Sequence, residues 1–306
     1  MVLIISLIIL FIILLILIVC FNKTFVRDKK TDNIYELPPL KAYNEFKDDF
    51  YKMIDEFDKV EYKDIYTKSY DDLNLHARYY EGQKDIVALC FHGYRGTISR
   101  DFSGGGKLLL KHKFKTIIVD ERSHGKSEGK IITFGIKERR DVLTWIHYVN
   151  TNFHNVKIIL FGVSMGASTV LMASDYKLPK NVIGIVADSP YNSPIDIIKK
   201  VIKDLRLNEK IIFPFVYLSA LIFGRFDLNS KSAEDSVKNT KLPILLIHGK
   251  KDSFVPFKMS KKIEKNIKTY HETLYVEDAD HALSYVKETK NYEKIFLKFL
   301  KNITKE

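Results

Sequence analysis

The sequence predicts an α/β fold: a mostly parallel, twisted sheet with helices on both faces, preceded by one membrane-spanning helix. Three observations predict it. The residues from Val2 to Phe21 are almost purely Ile, Leu, Val and Phe. From about residue 60 the chain alternates short β-rich runs with stretches of helical period. Several of the later runs are continuously apolar, as strands buried on both faces of a parallel sheet are. Strands alternating with helices close into a doubly wound sheet with right-handed crossovers.

The elements follow in order. Val2–Phe21 is broken only by Ser6 and Cys20, and about 20 apolar residues suffice to cross a bilayer core as a helix. A cleaved signal peptide would carry a basic start and small residues before a cut site, and neither is present, so residues 1–21 read as an anchor. Lys23, Arg27, Lys29 and Lys30 follow it, a bias toward a cytoplasmic domain, although large domains translocate regardless of such charges. Residues 22–40 are polar and end near Pro38-Pro39, which predicts a stiff tether. Tyr43, Phe46, Phe50, Met53, Ile54 and Phe57 recur at helical spacing, giving an amphipathic helix expected to pack on the domain because its polar face mixes acids with bases. The domain proper covers 60–306. Its strands are expected at Tyr62–Thr67, Leu73–Tyr80, Ile86–Phe91, Thr116–Asp120, Val156–Phe161, Val182–Ala187, Ile244–His248 and Thr273–Val276. Apolar stripes at Ile136, Leu143, Ile146 and Val149, and at Tyr292, Ile295, Phe296, Phe299 and Leu300, mark helices between and after them. The stretch of about 191–237 interrupts the alternation with a dense apolar run, Ile211–Phe223, too short to span a membrane. It reads as an insertion folded over one end of the sheet, either a plain cap or a lid whose apolar face lines a substrate pocket.

Composition bounds the function. The 306 residues are 46% hydrophobic and 28% charged, which excludes collagen-like and wholly disordered chains, and two cysteines build no disulfide framework. Lys+Arg 49 against Asp+Glu 38 leaves a charge of +11. The lysines are scattered, with no block of like charge that would mark a nucleic-acid arm, so no nucleic-acid partner is expected. Gly104-Gly105-Gly106-Lys107 lacks the spacing and the following Ser/Thr of a phosphate loop and reads as flexible chain near a pocket mouth. No dinucleotide fingerprint or metal-ligand spacing is present, and no cofactor is implied. Nothing in the sequence selects an oligomeric state.

The chemistry concentrates in Gly162-Val-Ser164-Met-Gly166, set between a buried strand and a helix start. Such a turn pushes Ser164 out at the top of the sheet in a strained conformation, small neighbours let strand and helix approach, and the hydroxyl faces the positive end of the following helix. With this motif in place, the chain from about 60 to 303 resembles the α/β-hydrolase superfamily, whose nucleophile is followed in chain order by an acid and a histidine. Asp252, just past the strand Pro243–Gly249 and before Pro256, matches the acid. His281, after the last strand, matches the base. The resemblance implies an oxyanion hole from the backbone N–H of Met165 and of Tyr94, the latter in Phe91-His92-Gly93-Tyr94-Arg95-Gly96. Asp188 is a rival acid, since some family members place it there. Asp278 and Asp280 are expected to be too near His281 in sequence to reach its ring, and His92, His124 and His248 to be structural. Ser123 stands where the family usually has Gly, which questions the local turn.

These residues imply a membrane-anchored serine hydrolase that cleaves an ester-type acyl bond through an acyl-enzyme. Its partner is a small acyl substrate, with lipid esters suggested by the apolar run Ile211–Phe223 and the anchor. A peptidase or aminopeptidase on the same scaffold is the alternative enzyme, and a catalytically silent membrane-bound scaffold the alternative of another class.

Overall fold

The computed structural model describes residues 1–304. Its eight strands form one sheet in the order β1-β2-β4-β3-β5-β6-β7-β8. They are β1 (Lys63–Lys68), β2 (Asn74–Tyr80), β3 (Ile86–Phe91), β4 (Lys115–Asp120), β5 (Lys157–Val163), β6 (Val182–Asp188), β7 (Ile244–Gly249) and β8 (His271–Val276). β2 runs antiparallel to both β1 and β4, and all other pairs are parallel. All eight predicted strands are present, with ends moved by one or two residues. β3 and β7 are buried along their whole length and β5 nearly so. The reason is the layer structure: one core cluster fills the space between the sheet and one helical layer, another fills the opposite face.

On one face, Glu138–Asn152 buries Val142, Trp145, Ile146 and Val149, and the fully buried helix Met165–Ala173 packs beside it. On the other lie the C-terminal helix Thr289–Thr304, burying Tyr292, Phe296, Phe299 and Leu300, and the amphipathic helix Lys47–Asp58, burying Phe50, Ile54 and Phe57. The amphipathic helix thus docks on the domain as its mixed polar face predicts. It is preceded by a separate turn of helix, Lys41–Glu45, because the backbone at Phe46 leaves helical geometry.

Three expectations need correction. The segment 22–40, expected to be a stiff tether, is instead bonded to the domain along its first part. The apolar helix continues to Phe25, which is fully buried, Val26 pairs with Ile131, and the Arg27 guanidinium donates to the Gly125 and Ser127 carbonyls. Gly105 and Lys107 lie in a regular helix, Gly105–Lys111, and the glycines are there for contact: a Cβ on Gly106 would enter the Phe57 ring and one on Gly104 the Tyr285 ring. Finally, the insertion between β6 and β7, with helices Pro194–Asp204 and Glu209–Ser219 and a π-turn Ala220–Gly224, turns its apolar face to the end of the N-terminal helix rather than to a pocket. The Phe21 and Phe223 rings meet edge to face at 5.5 Å, and Phe25 and Phe226 at 5.3 Å.

The N-terminal helix, Val2–Phe25, is the one helix among the described residues long and apolar enough to cross a membrane, with mean hydropathy 3.8 over its most apolar 18 residues. Ser123 settles its turn without glycine. Its φ is 66°, and its hydroxyl donates to the Ile131 carbonyl at 2.9 Å, a local bond that offsets the strain.

Candidate active site

β5 delivers Ser164 at its carboxyl end, on a turn with φ 55° and ψ −113°. That backbone is strained for any residue with a side chain, and it holds because the turn is packed from both sides. A Cβ at 162 would strike the backbone at Gly166 and Ala167, and a Cβ at 166 the carbonyl of Phe91 in β3. The Ser164 N–H donates to the Asp188 carbonyl at 2.8 Å, tying the turn to β6.

The loops after β7 and β8 bring Asp252 and His281 to this turn. His281 Nε2 lies 2.9 Å from Ser164 Oγ, and His281 Nδ1 lies 2.8 Å from Asp252 Oδ2. A carboxylate only accepts, so Nδ1 carries the proton and Nε2 is left to accept from the serine hydroxyl. All three side chains are buried or nearly so. Burial by itself would raise the Asp252 pKa, but the charge of His281 and hydrogen bonds from His248 and His281 outweigh it and hold the carboxyl below its usual range. Burial likewise pulls His281 down, and the Asp252 carboxylate reverses this, leaving the imidazole raised.

Asp188 is not brought to the histidine. Its Oδ1 accepts from the Ser189 hydroxyl at 2.9 Å and its Oδ2 from the Tyr292 hydroxyl at 3.0 Å, and burial raises its pKa. Asp280 does not meet the ring either. It accepts from the backbone N–H of His281 and of Ser253, both at 2.7 Å, and so clamps the histidine loop to the aspartate loop. His248 proves to touch the acid: its Nε2 sits 3.1 Å from Asp252 Oδ2 while its Nδ1 faces Ser260 Oγ at 2.7 Å.

Tyr94 follows β3 on the loop beside Ser164, and Met165 opens the helix after it. The Tyr94 N–H has no acceptor among the described residues, whereas the flanking amides are occupied. Gly93 N–H donates to Asp101 Oδ2 at 2.8 Å, and Arg95 N–H donates to His124 Nε2 at 3.0 Å. His124 in turn gives its Nδ1 proton to the Arg122 carbonyl, and burial lowers its pKa well below the ordinary value, so it stays a neutral acceptor. His92 is fixed in the same way, Nδ1 to the Gly93 carbonyl and Nε2 accepting from Glu121 N–H. Two neutral rings and one carboxylate therefore shape the loop and leave one amide free.

Ser164 and His281 open into a cavity of about 340 Å³. Its apolar wall comes largely from an unexpected source: Leu37, Pro38, Pro39, Leu40, Tyr43 and Phe50, all preceding the domain, and Phe254 also lines it. This arm is bonded to the machinery. The Tyr43 hydroxyl donates to the His281 carbonyl at 3.0 Å, and the buried Arg100 guanidinium bridges the carbonyls of Glu36 and Arg95. These partners lie 238 and 64 residues apart for Tyr43–His281 and Arg100–Glu36, and no local pattern signals them.

No group of His, Cys, Asp and Glu that would hold a metal is present among the described residues. Comparison with known proteins agrees with the architecture. A family described as serine aminopeptidase, S33, matches residues 82–221. An uncharacterized protein of Bacillus subtilis, YqkD, is 23% identical over 91% of this chain and 90% of its own length. The bem46 protein of Schizosaccharomyces pombe is 25% identical over 55% of this chain and 52% of its own. Among solved structures, an esterase of Pyrococcus furiosus superposes with TM-score 0.67 at 24% identity, covering 80% of this chain and 92% of that one. Est1E of Butyrivibrio proteoclasticus, solved with ferulic acid bound, gives TM-score 0.59 at 20% identity over 77% and 99%. With its sheet order, its strained serine turn and these likenesses, the chain has the α/β-hydrolase fold.

Proposed function

We propose that the protein is a membrane-anchored serine hydrolase that cleaves carboxyl esters through an acyl-enzyme. The observation that carries this reading is the continuous chain from Asp252 Oδ2 through the His281 ring to Ser164 Oγ, with contacts of 2.8 and 2.9 Å. A serine hydroxyl is a weak nucleophile until a base takes its proton. His281 Nε2 accepts that proton as Ser164 Oγ bonds to the acyl carbon, and Asp252 stabilises the imidazolium. The oxyanion falls to the Tyr94 and Met165 amides, each worth roughly a hundredfold or more in rate. The imidazolium then protonates the departing alcohol. Water, deprotonated by His281, attacks the ester of Ser164, and collapse frees the acid and restores the serine.

The pocket favours an ester over a peptide amine. Its carboxylates are Glu36 and Asp101, and Asp101 is committed to Gly93 N–H and to Arg100, leaving only the exposed Glu36 to meet an ammonium. The apolar wall suits a medium acyl chain. The anchor reading rests on Val2–Phe25, whose most apolar window is almost wholly uncovered by protein. Its last turn, with Phe25 in the core, argues for a helix retained by the folded domain rather than a removed leader.

Labelling with a fluorophosphonate tests the nucleophile: the wild-type chain takes the label and Ser164→Ala does not. Labelling that survives the substitution overturns the assignment. Preference for acetyl over medium-chain esters by a large factor would overturn the substrate class.

A further inference from the structure

The N-terminal helix does more than tether the domain, and its length shows why. A bilayer core of about 30 Å takes about 20 residues at 1.5 Å each, which is the length of the apolar stretch Val2–Phe21. Phe21 then stands at the near face of the hydrocarbon, and Leu17 lies about 6 Å inside it at the same rise. Yet Leu17 and Phe21 are only 5% and 9% exposed, because the helix packs against Glu209–Ser219 and the π-turn Ala220–Gly224 of the insertion. Protein that covers those positions must itself stand at membrane depth.

The insertion carries the surface this requires. Leu218, Leu221 and Ile222 flank the Phe223 that meets Phe21, and they are 42%, 40% and 51% exposed; Ile211 is 59% exposed. Exposed apolar side chains grouped on one element mark an interaction surface. Arg206 and Lys210 at the start of this segment, beside Ile211, and Arg225 at its end are exposed and make no ion pair among the described residues. Long cationic side chains beside an apolar face keep their heads among anionic headgroups while the stems follow the apolar body.

Resting on the anchor reading above, we infer that the insertion face bearing Leu218, Leu221 and Ile222 is a second membrane contact, sunk into the headgroup and acyl boundary of an anionic bilayer beside the anchor. The depth, about 5–10 Å for apolar faces that lie in an interface, matches the position of Leu17. The consequence reaches the active site. Arg95, on the pocket rim, donates to the Lys23 and Val26 carbonyls at the end of the anchor helix, so the pocket mouth opens at headgroup level.

The test uses the full chain in phosphatidylcholine–phosphatidylglycerol vesicles containing lipids brominated near the top of the acyl chain. Tryptophan is introduced one site at a time. The native Trp145 is fully buried in the domain core and supplies a constant, unquenched background. Leu221→Trp and Ile222→Trp are expected to lose emission to the same extent as Val19→Trp in the anchor, while Tyr270→Trp, an exposed position before β8, keeps its emission. Emission retained at both insertion sites while Val19→Trp is quenched overturns the inference and leaves the anchor reading standing. Emission retained at Val19→Trp as well overturns both. Two independent insertion sites guard against one variant failing to fold.

Discussion

Around Ser164 the outcome turns on single atoms. In the proposed mechanism His281 serves as a base only when neutral, and its pKa is raised from 6.5 because the Asp252 carboxylate outweighs burial. The sign follows: kcat/KM should fall about tenfold per pH unit below a midpoint above 6.5 and level off above it. In Asp252→Asn the largest raising charge is gone and burial is opposed only by the weaker pull of Asp188 and Asp280, so the midpoint should move down while kcat falls by about 10⁴. A pH–rate profile of both proteins checks this, and an unmoved midpoint would place the acid elsewhere. Asp188→Asn, by contrast, should leave turnover within a few-fold of wild type, since its carboxyl faces Ser189 and Tyr292 rather than His281. Residues whose chemistry sits in a local motif, such as Ser164 in its Gly-x-Ser-x-Gly turn or His281 after the last strand, were legible in sequence. Tyr43, Arg100 and Asp280 were not, because each acts on a main-chain group, and any distant residue can supply that group without a pattern of its own.

Among elements, the strands were the most legible because burial on both faces leaves an unbroken apolar run, as in β3, β5 and β7. Of the two readings of the insertion, the pocket-lining lid fails for a related reason. Ile211–Phe223 is apolar, but apolarity does not name the partner, and the partner is the end of the N-terminal helix. The stretch before residue 41 that helps wall the pocket looked polar and linker-like, since only Leu37, Leu40 and two prolines of it serve the wall, with Tyr43 and Phe50 following in the helices. Those prolines fix the arm's direction at little entropic cost. The double variant Leu37→Ala/Leu40→Ala should therefore lower kcat/KM for medium-chain esters by about tenfold or more, a typical loss for removed apolar contact in a pocket, and leave acetyl esters nearly unchanged. A chain-length series measures it; an equal loss on both would assign the arm a purely structural role. Tyr43→Phe removes one net hydrogen bond of about 1 kcal/mol and should reduce kcat several-fold with KM retained.

For the molecule as a whole, the N-terminal helix and the loop after β3 form one mechanical unit. Phe25, fully buried, packs edge to face on Phe134 at 5.9 Å, and Phe134 stacks on Tyr94 at 5.0 Å. The Tyr94 hydroxyl donates back to the Thr24 carbonyl at 2.9 Å. A chain starting at residue 16 loses the exposed part of the helix but keeps Leu17, Phe21 and Phe25 in place. It should hydrolyse a soluble ester in mild detergent at the rate of the full protein. Phe25→Ala removes a buried ring, a change that costs about 3–5 kcal/mol and should lower Tm by about 5–10 °C for a domain of this size. It also frees the Tyr94 side, so kcat of the folded fraction should fall with KM little changed, because in the proposed mechanism the Tyr94 amide is used in the transition state more than in the ground state. Thermal melts and steady-state kinetics on the two proteins separate the contributions. If the shortened chain lost activity to the same degree as Phe25→Ala, residues 1–15 would be holding the active site, and the coupling would run through the length of the helix rather than through its last turn.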